Sequence, residues 1–179
     1  MESLDLRVLG DVLRWRDVGR SVTLVTVVET WGSAPRPPGA LLAVRDDGVV
    51  SGSVSGGCVE DDLIIRIKAG EYENIGLPSM IAYGVSKDEA ARFGLPCGGT
   101  LRLVQEPVKD TTWIKDVLQR TTSHQLVSRT LNLSTGEVTL SNAARTDSLK
   151  FDGISLTTLF GPRWRLLLIG AGQLSQAVA

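Results

Sequence analysis

The chemistry in this chain centres on two cysteines. Cys58 and Cys97 each stand beside a glycine pair, as Gly56-Gly57-Cys58 and Cys97-Gly98-Gly99. Without Cβ atoms, backbone N–H groups can converge on an anion, and a ligand can come close to the sulfur. A thiolate there binds a soft metal, or accepts and passes sulfur. Cys58 holds the better chemical position, because the run CVEDDLIIRIKAG reads as a helix starting near it. The positive end of a helix favours thiolate, whereas Glu60, Asp61 and Asp62 oppose it by like-charge repulsion, so the net sign stays open. Ahead of the cysteine, SGSVSGG places Ser55, Gly56 and Gly57 where amides at a helix start cradle a phosphate.

Plainer readings stand beside these. A cysteine is often a small buried hydrophobe, and glycine pairs often only make turns. Pro96-Cys97-Gly98-Gly99 also explains itself as a turn into a strand, and a Cys58–Cys97 disulfide is open. Arg36 sits among Pro35, Pro37 and Pro38, either as a stiffened anion-binding fork or as a solvated loop arginine. Trp31 is either a stacking surface for a flat ligand or a core or lid tryptophan. His124 has no acidic neighbour in sequence and is given no role; Asp46-Asp47 reads as a turn pair, and 60–62 mostly as a helix-start charge run.

These residues need elements to hold them. Residues 6–16 have the leucine spacing of an amphipathic helix, and 21–30 the Val and Thr density of a strand. The prolines of 31–39 end that strand, and 40–45 pairs with 49–51 across Asp46-Asp47-Gly48. The helix from Cys58 has acidic residues in its first turn, Arg66 and Lys68 in its last, and Gly70 as its cap. Further on, 80–84 and 100–106 read as strands, 88–93 as a helical turn or two, and 113–120 as a helix. Residues 125–133 and 137–141 read as a hairpin around Ser134-Thr135-Gly136, and 142–153 as a polar linker.

The chain closes on RWRLLLIGAGQLSQAVA, a strand, a glycine turn and a helix opening. Gly170 and Gly172 suit the turn of a dinucleotide fingerprint, although no acidic ribose-binding residue follows. A lone strand and half a helix cannot bury their apolar faces, so the expectation is a fragment of a longer chain, or a tail docked on another subunit.

Composition excludes other classes. With 42% hydrophobic residues and a formal charge of −1, the chain is not a disordered polyelectrolyte. Its pI near 5.9 argues against a general nucleic-acid binder. The longest aliphatic run, 166–169, is far short of the ~20 residues of a membrane helix. Two cysteines make no disulfide framework, and no export signal is evident, so the expected compartment is the cytoplasm. One histidine and two cysteines are too few for an ordinary zinc site.

GSAPRPPGA at 32–40, SGSVSGGCVED at 51–61 and PCGGTLRLVQEP at 96–107 together resemble the N-terminal domain of the XdhC/CoxI family. LLLIGAGQLSQAVA resembles the start of that family's Rossmann-like C-terminal domain, with Ser175 in place of the commoner small apolar residue. The resemblance implies an α/β protein divided into an N-terminal mixed α/β domain over 1–107, a connecting region with a short helix and hairpin over 108–162, and an incomplete Rossmann-like unit over 163–179. It implies an accessory protein rather than a catalyst. Such a protein binds molybdenum cofactor in its molybdopterin form, supports its sulfuration, and hands it to an apo molybdenum hydroxylase of xanthine dehydrogenase or carbon monoxide dehydrogenase type. A homodimer and a cysteine desulfurase as sulfur donor go with that picture, without nucleic acid or membrane. The cysteine associated with the cofactor corresponds to Cys58, as metal or sulfur ligand. Arg36, Ser55, Gly56, Gly57, Cys97, Gly98, Gly99, Gly170 and Gly172 complete the expected binding set. Two further readings are an NAD(P)-dependent oxidoreductase built on the terminal glycine turn and a cofactor-free assembly or regulatory protein.

Overall fold

A computed structural model describes residues 4–31, 36–71, 76–84 and 100–162, with the backbone alone at Cys58. The elements are α1 (Leu4–Asp17), β1 (Val22–Thr30), β2 (Leu41–Arg45), β3 (Val50–Gly52), α2 (Cys58–Lys68), β4 (Ser79–Tyr83), β5 (Leu101–Pro107), α3 (Thr112–Thr122), β6 (Val127–Asn132), β7 (Val138–Asn142), β8 (Lys150–Phe151) and β9 (Ser155–Phe160). The fold is mixed α/β, with three helices and two antiparallel sheets among the described residues.

The first sheet has the order β3-β2-β1-β5-β4. Its central strand β1 is buried on both faces, which is why its sequence is an almost unbroken run of Val, Leu and Thr rather than an alternation. Val25 and Val27 face α2, joining Leu42, Val44, Leu103, Val59 and Leu63 in one core. Val22 and Leu24 face the other way, toward Val8 and Leu9 of α1 and Ile114 and Val117 of α3. An extra residue in β1 between the Val27 and Glu29 pairings shifts the register, so that Glu29 lies opposite Arg102 and Thr30 opposite Leu101.

The second sheet, order β7-β6-β9-β8, packs on the α1/α3 side. The expected hairpin forms as β6 and β7, with Val127 opposite Asn142. The linker expected over 142–153 gives way to β8 at its end, and β9 pairs with β6 along its full length. The reason is the half-apolar alternation of β9, which buries Leu156, Thr158 and Phe160. A buried ion pair ties the sheets together: Arg129 on β6, 1% exposed, donates to Glu106 on β5 at 2.5 Å. The Arg129 guanidinium also lies 3.9 Å from the centre of the Trp113 ring. The helical turn expected over 88–93, the turn at Cys97-Gly98-Gly99 and the strand–turn–helix over 163–179 lie outside the described residues.

Candidate functional site

The sheet gathers its motifs at one end. β1 and β5 are antiparallel, and the N–H of Trp31 donates to the carbonyl of Thr100 at 2.9 Å, so the chain leaves β1 beside the point where it enters β5. Tyr83 pairs with Leu101, which brings Gly84 to the same end. Gly52 pairs with Leu42, and the N–H of Ser53 donates to the Leu41 carbonyl, so the loop after β3 emerges there too. Residues 36–40, the loop from Ser53 and the chain at Thr100, far apart in sequence, therefore all meet the same end of one sheet.

Gly52 is the hinge into the loop. Its φ is +86°, and a Cβ there would stand 2.2 Å from the Leu41 carbonyl oxygen and 2.8 Å from a Val8 methyl. Only glycine allows β3 to turn away this close to β2. Gly56, also left-handed at φ +87°, then curls the chain into α2. The helix starts at Cys58, where the sequence places it, with Gly57 as its N-cap.

The amides of 54–57 do converge on an anion, and that anion is the chain's own Glu60. Its Oε1 accepts hydrogen bonds from the N–H groups of Val54 (2.9 Å), Ser55 (2.8 Å) and Gly56 (2.8 Å) and from the Ser53 hydroxyl (2.8 Å). Oε2 accepts from the Gly57 N–H at 2.9 Å and from the Ser55 hydroxyl. Glu60 is at the third position of α2, and reaching back to the N-cap amide is what a capping-box glutamate does. Here the glycine cap supplies no side chain to accept a helix amide; the hydroxyls of Ser53 and Ser55 instead donate to the Glu60 carboxylate. Burial pushes the Glu60 carboxyl upward, but the hydrogen bonds from Ser55, Gly56 and Gly57 outweigh it and hold the group at about 2. The phosphate cradle expected at Ser55, Gly56 and Gly57 thus forms with its donors already engaged.

The acidic run 60–62 is three separate groups. Glu60 turns into the loop, Asp62 accepts from the Tyr83 hydroxyl at 2.8 Å, and Asp61 is exposed. Sequence reasoning took Glu60 as part of a charge run and missed its place in this loop. The pattern that marks it was present: serines and glycines before a helix start with glutamate three places past the cap.

Arg36 is brought to the same loop. Its Nε donates to the Ser53 carbonyl at 3.3 Å, and the side chain is half-buried. Its η nitrogens have no partner among the described residues, which leaves a fork of donors beside the loop. Arg36 also borders an open pocket of about 480 Å³ lined by Leu4, Asp5, Pro37, Gly39 and Phe160. Trp31 is neither core nor an open platform: it is 49% exposed, with the Arg102 guanidinium 5.0 Å from its ring centre and Arg102 held by Glu29 at 2.8 Å. Cys97, Gly98, Gly99, Gly170 and Gly172 lie outside the described residues. No cluster of three His, Cys, Asp or Glu side chains forms a metal cage among the described residues, and no described helix is long and apolar enough to cross a membrane.

Comparison with known proteins agrees with the motifs. Residues 15–69, the stretch that holds β1 through α2, match the XdhC and CoxI family. The molybdenum cofactor insertion chaperone PaoD of Escherichia coli (strain K12) is 35% identical over 111 residues, covering 57% of this chain and 31% of that protein. A solved structure described as a xanthine dehydrogenase from Bacillus halodurans aligns with a TM-score of 0.66 at 22% identity, covering 88% of this chain and 53% of that one. At that identity the likeness speaks for the fold. The chain spans about a third of the curated relative's length and about half of the structural neighbour's.

Proposed function

We propose, for a chain that belongs to the XdhC and CoxI family, that it works in molybdenum cofactor maturation as a chaperone, with the motif end of its first sheet as the receiving site. The observation that carries this reading is the Arg36–Ser53 contact. It joins the proline-framed arginine to the loop that leads into Cys58, two motifs separated by a hairpin.

The cargo carries a phosphate, a flat pterin and a soft metal–dithiolene centre. Cys58, at the first position of α2, supplies sulfur as ligand or relay; a helix start favours the thiolate that either role requires. Arg36 supplies a planar charged fork for the phosphate. A carrier must release what it holds, and one thiolate with one guanidinium is a modest grip suited to that. Support of sulfuration, with a cysteine desulfurase as donor, delivery to an apo molybdenum hydroxylase, a homodimeric state and a cytoplasmic setting belong to the same proposal. Cys97, Gly98 and Gly99, expected in the binding set from the sequence, belong to the same proposal.

The test is metal and pterin analysis of the protein purified from cells that make the cofactor, wild type beside Cys58→Ala and Arg36→Ala. Each variant should fold and lose most of the bound pterin. Unchanged pterin in Cys58→Ala would remove that sulfur from the site.

A further inference from the structure

We propose that Glu60 is the positioning residue of this site: by filling the amide nest of 54–57 it makes that loop a fixed frame for the first turn of α2, so the anionic end of the cargo meets Arg36 instead of the loop. The inference deepens the function proposed above and rests on it.

Six donors converge on one carboxylate, four on Oε1 and two on Oε2. That is the donor arrangement with which a glycine-rich loop takes a phosphate. An external anion would have to expel a charged group that already satisfies all of them. The loop is also tied from outside, by the Arg36 Nε on the Ser53 carbonyl and by the Ser53 N–H on Leu41. Gly56 and Gly57 have nothing within 4 Å of a built Cβ, so packing does not hold the loop tip. The carboxylate does. Glu60 lies two positions after Cys58 on the same first turn, so the group that fixes the loop also fixes where the cysteine's backbone leaves it.

The two oxygens allow graded substitutions. Glu60→Gln can keep its carbonyl at the Oε1 position, with four donors, and presents N–H₂ to the Gly57 N–H and the Ser55 hydroxyl. Glu60→Ala empties the nest. The experiment follows the backbone amides of 54–57 by NMR in wild type, Glu60→Gln and Glu60→Ala, titrated with inorganic phosphate and with formate, beside pterin retention. In wild type these amides should ignore phosphate, and in Glu60→Ala they should shift saturably with either anion. Pterin retention should fall about tenfold in Glu60→Ala and about threefold in Glu60→Gln, roughly 1.4 and 0.7 kcal/mol of binding. Formate in the buffer should restore the alanine variant, which a fold defect would not permit.

Saturable phosphate shifts at 54–57 in the wild type would overturn the proposal, as would an alanine variant whose amides stay silent. Full pterin retention in Glu60→Ala beside loss in Cys58→Ala would overturn the positioning role alone. Full retention in Cys58→Ala would overturn the site reading beneath it, and this inference with it.

Discussion

The Glu60 carboxylate makes a stability prediction that can be worked through from its hydrogen bonds. Its folded value is about 2, against an unperturbed 4.5. Because the folded value is depressed, the contribution is complete above 4.5 and is lost as pH falls from there toward 2. Taken at face value the shift corresponds to about 3 kcal/mol at 1.36 kcal/mol per unit. The group is only half-buried, so solvent screening brings this to about 1–2 kcal/mol. Glu60→Gln removes the titration and keeps much of the shape. Urea unfolding of both proteins at several pH values then isolates the group, since every other carboxylate titrates in both and cancels in the difference. At pH 7 wild type should be more stable by about 1.5 kcal/mol, a midpoint displacement of roughly 0.7 M urea for a slope of about 2 kcal/mol/M. The difference should hold to about pH 5.5, narrow below 4.5 and approach zero near 2. A difference that stayed constant from pH 7 to pH 3, or that was absent at pH 7, would refute the claim that this carboxylate is held ionised by the loop.

Three other outcomes follow from the same structure. Arg36→Lys keeps the charge and loses the planar fork and the bond to Ser53, so pterin retention should lie between wild type and Arg36→Ala; a lysine variant equal to wild type would reduce Arg36 to a point charge. Gly52→Ala should destabilise the chain by about 3 kcal/mol, because its Cβ would collide with the Leu41 carbonyl at a left-handed φ; an unchanged melting temperature would contradict that register. Glu106→Gln and Arg129→Met should each cost about 3–5 kcal/mol in denaturant unfolding by leaving one buried partner uncompensated, and the double variant should cost less than either single one; strict additivity would mean that the pair is not coupled.

What could be read from residues alone follows from how local the determinants are. The strand at 21–30 was legible because a strand buried on both faces needs β-branched residues at nearly every position. The start of α2 was legible from Gly57, the acids after it and the basic residues at its far end, all local signals. β9 was not, because Thr158 fills one of its inward positions and dilutes the alternation. Nothing local in the sequence marks Arg129 as buried; its burial depends on Glu106, 23 positions away, and on the Trp113 ring of α3. At the site, Arg36 was singled out by its prolines, but its contact with Ser53 depends on how β2 and β3 pair. Glu60 was visible as a charge and hidden as a partner, because three consecutive acids look alike until the backbone assigns each a direction.

A prefilled nest also bears on why such a loop would stand in a carrier. An open cradle of four amides and two hydroxyls would bind whatever phosphate anion is abundant around it, and the loop would order only when loaded. With Glu60 in place the frame exists before the cargo arrives, and generic anions meet a negative charge where they would otherwise find donors. In the proposed site, discrimination would then fall to the features that ordinary phosphates lack, a soft metal–sulfur centre for Cys58 and a shape that reaches Arg36 at the same time. Each of these proposed contacts would be weak alone, and neither would need the loop to rearrange for loading or release. Displacing Glu60 would give up the hydrogen bonds that hold its carboxylate ionised, about 1–2 kcal/mol for a half-buried group. A cargo phosphate that expelled Glu60 would leave the carboxylate without its partners, a cost that the Arg36 route avoids.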